Sequence, residues 1–366
     1  MVKDTPTGGP VVARLCGRMW ASGCGVCTWQ CTRPCHPPAS ALARVCDDPR
    51  MRDPLANNGS TRVTEPSSAD LRERLAGVRG LVLDLDGVLV LKASLLPGAV
   101  AALAALDAGG IPYVIGTNMS LASRATLSRE MVRGGLPVAA ERIVSAASAA
   151  SALARRRFGT APLYVMGSAD AMTEFAGLRL LSHDQAAEPG ATAAAVIVGD
   201  AGDDFTPRNI QSAFRLIRGG ARFVAMHKNR WWITPDGVLL DSGSYVAALE
   251  YATERRALVT GKPSRAFFAE AVRMLGAVAE RGAADAAHAS GIHASSGRFS
   301  PGEVAMVGDD LWNDILGARK AGLRGVFVRS GKHGDADLAR AAKERGGWAP
   351  DAVAPSIVEV VAALGS

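Results

Sequence analysis

From Leu71 onward, short apolar runs alternate with longer Ala- and Leu-rich stretches, and glycine or proline marks most of the junctions. The first run, "GLVLDLDG", is apolar almost throughout, as a strand buried on both faces requires. A helical stretch follows, with Pro97 near its first turn and Gly109–Gly110 at its end, the usual asymmetry of helix punctuation. "IPYVIGTN" is the next strand, and a helix from about Leu121 to Arg133 is stopped by another Gly-Gly. Strand then helix, repeated, predicts an α/β fold with a parallel sheet and crossover helices.

The middle of the chain repeats this grammar. "APLYVMG" and "AAVIVGD" read as strands, and a helix opened by Thr206-Pro207 and closed by Gly219-Gly220 leads to "ARFVAMH". A helix around "SYVAALEYAT" precedes "ALVTGKP", and another begins near Arg265 with Ser264 as its N-cap. From Ala279 to Arg298 the composition turns to Ala, Gly, Ser and His. That stretch reads as a surface loop insertion, with His288 and His293 solvated. Order returns with "EVAMVGDD", a helix over "DILGARKAG", and "GVFVRSGK". No apolar run approaches the ~20 residues that span a bilayer, so a soluble, cytoplasmic protein without a membrane partner is expected.

Residues 1–70 show neither period and are rich in Pro, Gly, Cys and Arg, which predicts a disordered leader. All six cysteines lie there: Cys16, Cys24, Cys27, Cys31, Cys35 and Cys46. Cys24 and Cys27 form one C-x-x-C pair and His36 adjoins Cys35, but structural zinc sites usually carry two paired half-sites. The blander readings are an unfolded leader or an over-long start with Met51 as an internal one. Its arginines and scarcity of acids up to Arg44 weakly resemble an organellar transit peptide. Of the net charge of +6, the first 79 residues supply 4, through eleven basic against seven acidic side chains. The remainder shows no Lys/Arg stripe interleaved with aromatics, so no nucleic-acid partner is expected.

The candidate chemistry starts where the first strand ends. Asp84 and Asp86 are followed at once by Gly87. Residues i and i+2 of a strand share a face, but Gly87 implies that the chain is already turning at Asp86. Two carboxyl groups then sit on one rim with different orientations. A calcium loop is excluded, because Val88 and Leu95 occupy positions that need oxygen ligands. The alternative is a polar strand end with a chance pair of acids.

Three further strand ends favour chemistry. Thr117 and Asn118 supply donors suited to phosphate oxygens. Lys262 supplies a point charge. Asp309 and Asp310 close another strand, with Asp314 one helical turn on. In parallel sheets ligands bind outside the carboxyl ends of the strands, so all four groups should meet at one rim. Carboxylates so gathered repel one another unless a hard cation binds, and oxygen ligands favour Mg²⁺. One carboxylate can act as a nucleophile and its neighbour as acid and base.

"DLDGVL", "GTN", "GKP" and "GDDLWND", in that order, resemble the four motifs of the haloacid dehalogenase-like hydrolase superfamily. The long gap from Asn118 to Lys262 and "LLPGAVAAL" resemble its capped (class IIA) phosphatases. "HKNRWW", "DGVLLDSGSYVAALEYAT", "VTGKPSRAFF" and "VFVRSGK" are similar to a narrower group within that branch. The resemblance covers roughly Val78 to Leu364. It implies a Rossmann-like core over residues 71–145 and 255–366, an inserted α/β cap over 146–254, and phosphatase activity through an aspartyl phosphate. Small phosphomonoesters are the implied substrates, with pyrophosphate or P–N bonds beside them.

Residue by residue, the resemblance implies Asp84 as nucleophile and Asp86 as general acid/base. Thr117, Asn118 and Lys262 would bind the phosphoryl group. Magnesium would be held by Asp84, the Asp86 carbonyl and Asp309, with Asp314 supporting from behind and Asp310 outside the metal's sphere. Met119 replaces a polar residue common after Thr-Asn, which predicts the loss of one phosphate donor. Substrate choice would lie in the cap, with "HKNRWW" the best candidate segment. There Trp231 and Trp232 either stack on a leaving group or pack the cap, and His227 and Lys228 either meet an anion or are solvated. A homodimer through the cap is a family-level expectation. A phospho-accepting signalling module and a non-catalytic scaffold are the rival readings; Asp86 speaks against the first, and the complete motif set against the second.

Overall fold

The computed structural model describes residues 68–365 apart from 93, 235–236, 291–296 and 345. The expectations for the cysteine-rich leader and for His293 fall outside the described residues. In chain order the elements used below are β1 (Gly80–Asp84), α1 (Ala99–Ala108), β2 (Tyr113–Thr117), α2 (Arg124–Arg133) and β3 (Ile143–Ser145). Then come α3 (Ala146–Phe158), β4 (Leu163–Met166), β5 (Ala195–Val198), α4 (Pro207–Arg218), β6 (Arg222–Ala225), α5 (Ser242–Thr253) and β7 (Leu258–Val259). The chain closes with α6 (Arg265–Ser290), β8 (Val304–Gly308), β9 (Arg324–Val328), α7 (Asp335–Lys343), β10 (Ala352–Ala354) and α8 (Ile357–Leu364).

Two parallel sheets organise these elements. The core sheet has six strands in the order β10-β9-β8-β1-β2-β3, and the second has four in the order β7-β6-β5-β4. The Rossmann-like core and the second α/β layer expected from the sequence are both present. The chain leaves the core sheet after β3 and re-enters it at β8.

Burial on both faces explains the near-continuous apolar strands. In β1, Leu81 and Leu83 point into a cluster with Ala102, Leu103, Leu106 and the helix α8, while Val82 points the other way, against Phe267, Phe268 and Leu275 of α6. The second sheet is built alike. Tyr164, Val196 and Phe223 face α4 and α5, and Val165, Ile197 and Val224 face α3. A strand clothed by helices on both sides has no polar face to display. The charged residues are therefore left to the strand ends.

Local differences from the sequence reading have local causes. Helix α2 starts at Arg124 rather than Leu121, because the Ser123 side chain caps it by accepting the Thr126 N–H. The expected loop at 279–298 is corrected in its first part: α6 runs on to Ser290, so His288 is helical. Alanine is the strongest helix former, and the Ala-rich stretch follows a helix already nucleated by Phe267 and Phe268 in the core. Ser264 does cap α6, its Oγ accepting the Phe267 N–H at 3.2 Å. Among the described residues no helix is long and apolar enough to cross a membrane.

Candidate active site

The register of the core sheet delivers three of the motifs side by side. Asp84 lies opposite Gly116, one residue before Thr117, and Leu83 lies opposite Val307, two residues before Asp309. Lys262 arrives differently. The strand before it, β7, belongs to the second sheet and not to the core sheet. The Thr260 and Gly261 N–H groups extend that ladder, donating to the carbonyls of Ala225 at 2.9 Å and Met226 at 2.6 Å. Lys262 still reaches the common rim, since the carboxyl ends of the two sheets meet there.

The contacts at the centre are short and buried. Lys262 Nζ donates to Asp84 Oδ1 at 2.7 Å and lies 2.8 Å from Asp314 Oδ1, with all three side chains nearly inaccessible. The Leu85 N–H also donates to Asp84 Oδ1, at 2.8 Å. Asn118 holds the Lys262 peptide at both ends: its Oδ1 accepts the N–H at 2.7 Å and its Nδ2 donates to the carbonyl at 3.1 Å. Thr117 Oγ1 accepts the Met119 N–H at 3.2 Å. The Met119 side chain packs against the core cluster beneath, which accounts for an apolar residue at this position.

Asp309 sits in a cradle made by two glycines. A Cβ on Gly87 would come within 2.1 Å of Asp309 Oδ2, and one on Gly331 within 2.0 Å. The Lys332 N–H donates to that same oxygen at 2.6 Å, and Ser330 Oγ donates to the Gly87 carbonyl at 2.6 Å. Gly87 also has φ +81°, a region that side chains rarely adopt. The loop Ser330–Lys332 was quoted above as a resemblance but given no role. Its signal was present: Ser-Gly-Lys at the end of an apolar strand, on the same rim.

Asp310 and Asp314 divide their work. Asp310 Oδ1 accepts the Trp312 and Asn313 N–H groups, both at 3.0 Å, and Oδ2 takes Asn313 Nδ2 at 3.0 Å and Lys332 Nζ at 2.8 Å. Burial works against its ionisation, yet these donors hold its pKa down at about 2. It is the cap of the turn that begins at Leu311. Asp314 instead turns inward. One of its oxygens, Oδ1, is buried without a hydrogen bond in line.

Electrostatically the site is overloaded with acid. Burial, joined by Asp309 and Asp86 and opposed by Lys262, raises Asp84 to about 6. Burial and Asp314 raise Asp309 to about 6. Burial and Asp84 raise Asp314 to about 8. Asp86 is exposed at the mouth but backed by protein, and this partial desolvation raises its pKa against the pull of Lys262. Burial disfavours the ammonium of Lys262, but Asp314 and Asp84 outweigh it and keep the group protonated.

These residues fit a divalent cation. Asp84, Asp309 and Asp314 each offer an oxygen within 4.8 Å of the others. Asp314 Oδ1 is buried and shares its charge with Lys262 at 2.8 Å, and the glycine cradle leaves Asp309 no space to turn away. Oxygen-only ligation matches a hard ion.

The cap residues singled out in the sequence are placed less simply. His227 is buried at 3% exposure and is not solvated. Lys228 pairs with Glu250 at 2.6 Å. Trp231 is 56% exposed on a hairpin formed by Trp231–Thr234 and Gly237–Leu240, so it does not pack the cap interior. The Trp232 side chain is outside the described residues. Sequence reasoning passed over Ser120, Ser123 and Asp170, which tie the two sheets together. Ser123 donates to Asp170 through its N–H at 2.8 Å and through Oγ at 3.1 Å.

Comparison with known proteins gives a consistent picture. Residues 81–180 match the family model described as haloacid dehalogenase-like hydrolase, and residues 259–360 match a second HAD-hydrolase-like model. The chain is 31% identical over 260 residues to haloacid dehalogenase-like hydrolase domain-containing protein 2 of Bos taurus, covering 71% of this chain and 87% of that relative. It is 30% identical over 271 residues to the phospholysine phosphohistidine inorganic pyrophosphate phosphatase of Homo sapiens, covering 72% and 88%. Among solved structures, the p-nitrophenyl phosphatase from Archaeoglobus fulgidus superposes with a TM-score of 0.65 at 24% identity, covering 78% of this chain and 99% of that one.

Proposed function

Because this chain belongs to the haloacid dehalogenase-like hydrolase family, we propose that it is a magnesium-dependent phosphatase working through an aspartyl phosphate on Asp84. The observation that carries the reading is the Lys262 ammonium bridging Asp84 at 2.7 Å and Asp314 at 2.8 Å. A cation fixed against a strand-end carboxylate both restrains that carboxylate and waits for a phosphoryl oxygen.

In the proposed reaction an Asp84 oxygen attacks phosphorus, the bond from phosphorus to the leaving group breaks, and Asp86 gives its proton to the departing oxygen. Asp86 then takes a proton from water, whose oxygen attacks phosphorus and releases Asp84 and inorganic phosphate. The exposure of Asp86 supports its part in both transfers, since the leaving group and water reach it from solvent. Lys262 and the Thr117 hydroxyl hold the phosphoryl oxygens. The Asn118 side chain is committed to the Lys262 peptide, so its contribution is to fix that lysine, with its remaining Nδ2 hydrogen for phosphate. Asp84, Asp309 and the Asp86 carbonyl would hold Mg²⁺, with Asp314 adjoining. When bound, the ion would neutralise charge on the phosphoryl group.

The segment 146–254 serves as a cap that selects the leaving group. Small phosphomonoesters are the main substrates in this reading. Pyrophosphate and P–N bonds join them because a relative's name carries those bonds. Homodimerisation through the cap is favoured by the exposed apolar side chains of its hairpin, Trp231, Val238 and Leu240, and sedimentation tests it.

Phosphate release with and without Mg²⁺, over p-nitrophenyl phosphate, pyrophosphate, phospholysine and sugar phosphates, tests the reaction. Asp84→Asn should cost on the order of 10⁴-fold or more in kcat, as loss of a nucleophile does. Activity unchanged in that variant sinks the mechanism. Phosphate retained on the protein without turnover supports the signalling alternative.

A further inference from the structure

The carboxyl edge of the second sheet grips the segment that follows Thr117, and one imidazole is central to the grip. His227 follows β6 and is buried. Its Nδ1 accepts the Asn229 N–H at 3.3 Å, which assigns the ring proton to Nε2. Nε2 lies 2.8 Å from Ser120 Oγ, 3.3 Å from Ser242 Oγ and 3.7 Å from Asp241 Oδ1. Ser120 Oγ also accepts the Asp200 N–H at 3.2 Å, from the end of the neighbouring strand β5. Burial lowers the His227 pKa, with Asp241 opposing, so the ring is neutral.

We propose that His227 is a positioning residue for phosphoryl transfer, holding the loop Thr117–Ser120 in register with Lys262. This rests on the phosphatase reading and deepens it. The argument is one of connectivity. Met226 takes the Gly261 N–H on its carbonyl at 2.6 Å, one residue before Lys262. His227, next in the chain, reaches Ser120, three residues after Thr117. Two adjacent residues just beyond the end of β6 thus hold both phosphate-binding loops, one through its backbone and the other through its ring. A packing role would be met by an apolar side chain. This ring instead directs its single N–H at a hydroxyl in the core loop. The group that binds phosphate and the layer that reads the substrate are joined at this point, so the ring's effect falls on the phosphoryl pocket and is independent of the leaving group.

Two His227 variants and a partner variant test this. His227→Leu keeps bulk and removes the ring's contacts with Ser120, Ser242 and the Asn229 N–H. His227→Gln keeps an N–H close to the position of Nε2. Ser120→Ala removes the acceptor. For each, kcat and KM are measured on p-nitrophenyl phosphate and pyrophosphate, together with inhibition by inorganic phosphate. The expected result for His227→Leu is a kcat about tenfold lower on both substrates by a similar factor, with weaker phosphate inhibition. His227→Gln should recover most of the loss, and the Leu and Ala changes together should cost little more than either alone.

A KM effect confined to one leaving group, with phosphate inhibition unchanged, overturns the proposal by making His227 a substrate contact. Equal damage in Gln and Leu variants, tracking melting temperature, overturns it in favour of a purely structural role. If His227→Leu fails to fold, Ser120→Ala carries the same test. If the wild type turns over nothing, the phosphatase reading fails. Calorimetry of inorganic phosphate with Mg²⁺ then still decides, and affinity unaltered by these changes, or no binding to the wild type, overturns the inference as well.

Discussion

Asn118 closes on the peptide of Lys262 from both sides, accepting its N–H at 2.7 Å and donating to its carbonyl at 3.1 Å across a separation of 144 residues. The contact joins the end of a core strand to the end of a second-sheet strand. It is therefore the point where the geometry of two sheets becomes the geometry of one site. A glycine is needed beside it, since a Cβ on Gly261 would come within 2.7 Å of Asn118 Oδ1 and 2.5 Å of the Met226 carbonyl.

Asn118→Ala should lower kcat on the order of 10²-fold, the scale of losing one well-placed transition-state group. It should also cost about 1–3 kcal/mol of stability, because two buried peptide groups lose a partner. Steady-state phosphate release and urea denaturation read the two effects. A stability loss with kcat unchanged removes Asn118 from the site's positioning machinery.

Gly331→Ala tests the Asp309 cradle. Its new methyl would fall 2.0 Å from Asp309 Oδ2, so the carboxylate must move. Metal affinity should fall at least about tenfold, which is about 1.4 kcal/mol, while the fold persists. Titration with Mn²⁺ followed by electron paramagnetic resonance measures this without activity. Affinity within about twofold of wild type contradicts the cradle.

The raised carboxyl groups predict how pH and metal interact. In the metal-free protein Asp84 and Asp309 hold protons up to about 6 and Asp314 up to about 8, whereas in the unfolded chain each is ionised above about 4. The folded state thus binds more protons than the unfolded one, and these groups lose stability as pH rises through their folded values. His227 and His333, lowered by burial, work in the opposite sense below about their usual 6.5. The window to read is pH 7 to 8.5, which lies above the values of Asp84 and Asp309 and spans that of Asp314. Melting temperature in EDTA should fall across that window, and added Mg²⁺ should reverse the fall. Mg²⁺ binding near pH 6 should also release protons, seen as a buffer-dependent calorimetric heat. A flat EDTA profile with no proton release contradicts the acid-loaded centre.

Much of this was legible in the chain. The βα grammar predicted the parallel sheet, because strands clothed on both faces are apolar throughout and leave their polar residues to the ends. Asp84, Thr117, Lys262 and Asp309 were readable for that reason. The resemblance misled in one respect: it put residues 255–366 in the core, although Leu258 and Val259 pair with Val224 and Ala225 of the second sheet. Nothing in an apolar dipeptide such as Leu258–Val259 says which sheet it will join. Composition misled again at 279–290, where small residues suggested a loop and a helix already under way simply continued.

By itself, then, the sequence determined which residue types stand at strand ends, since that follows from local period and two-sided burial. Only the tertiary structure decided that Asn118 would clasp Lys262, that Gly87 and Gly331 would confine Asp309, and that His227 would reach Ser120. Each of these joins elements whose mutual register is set by two separately packed sheets. Helical or strand periodicity extends over a few residues and carries no information about that distance.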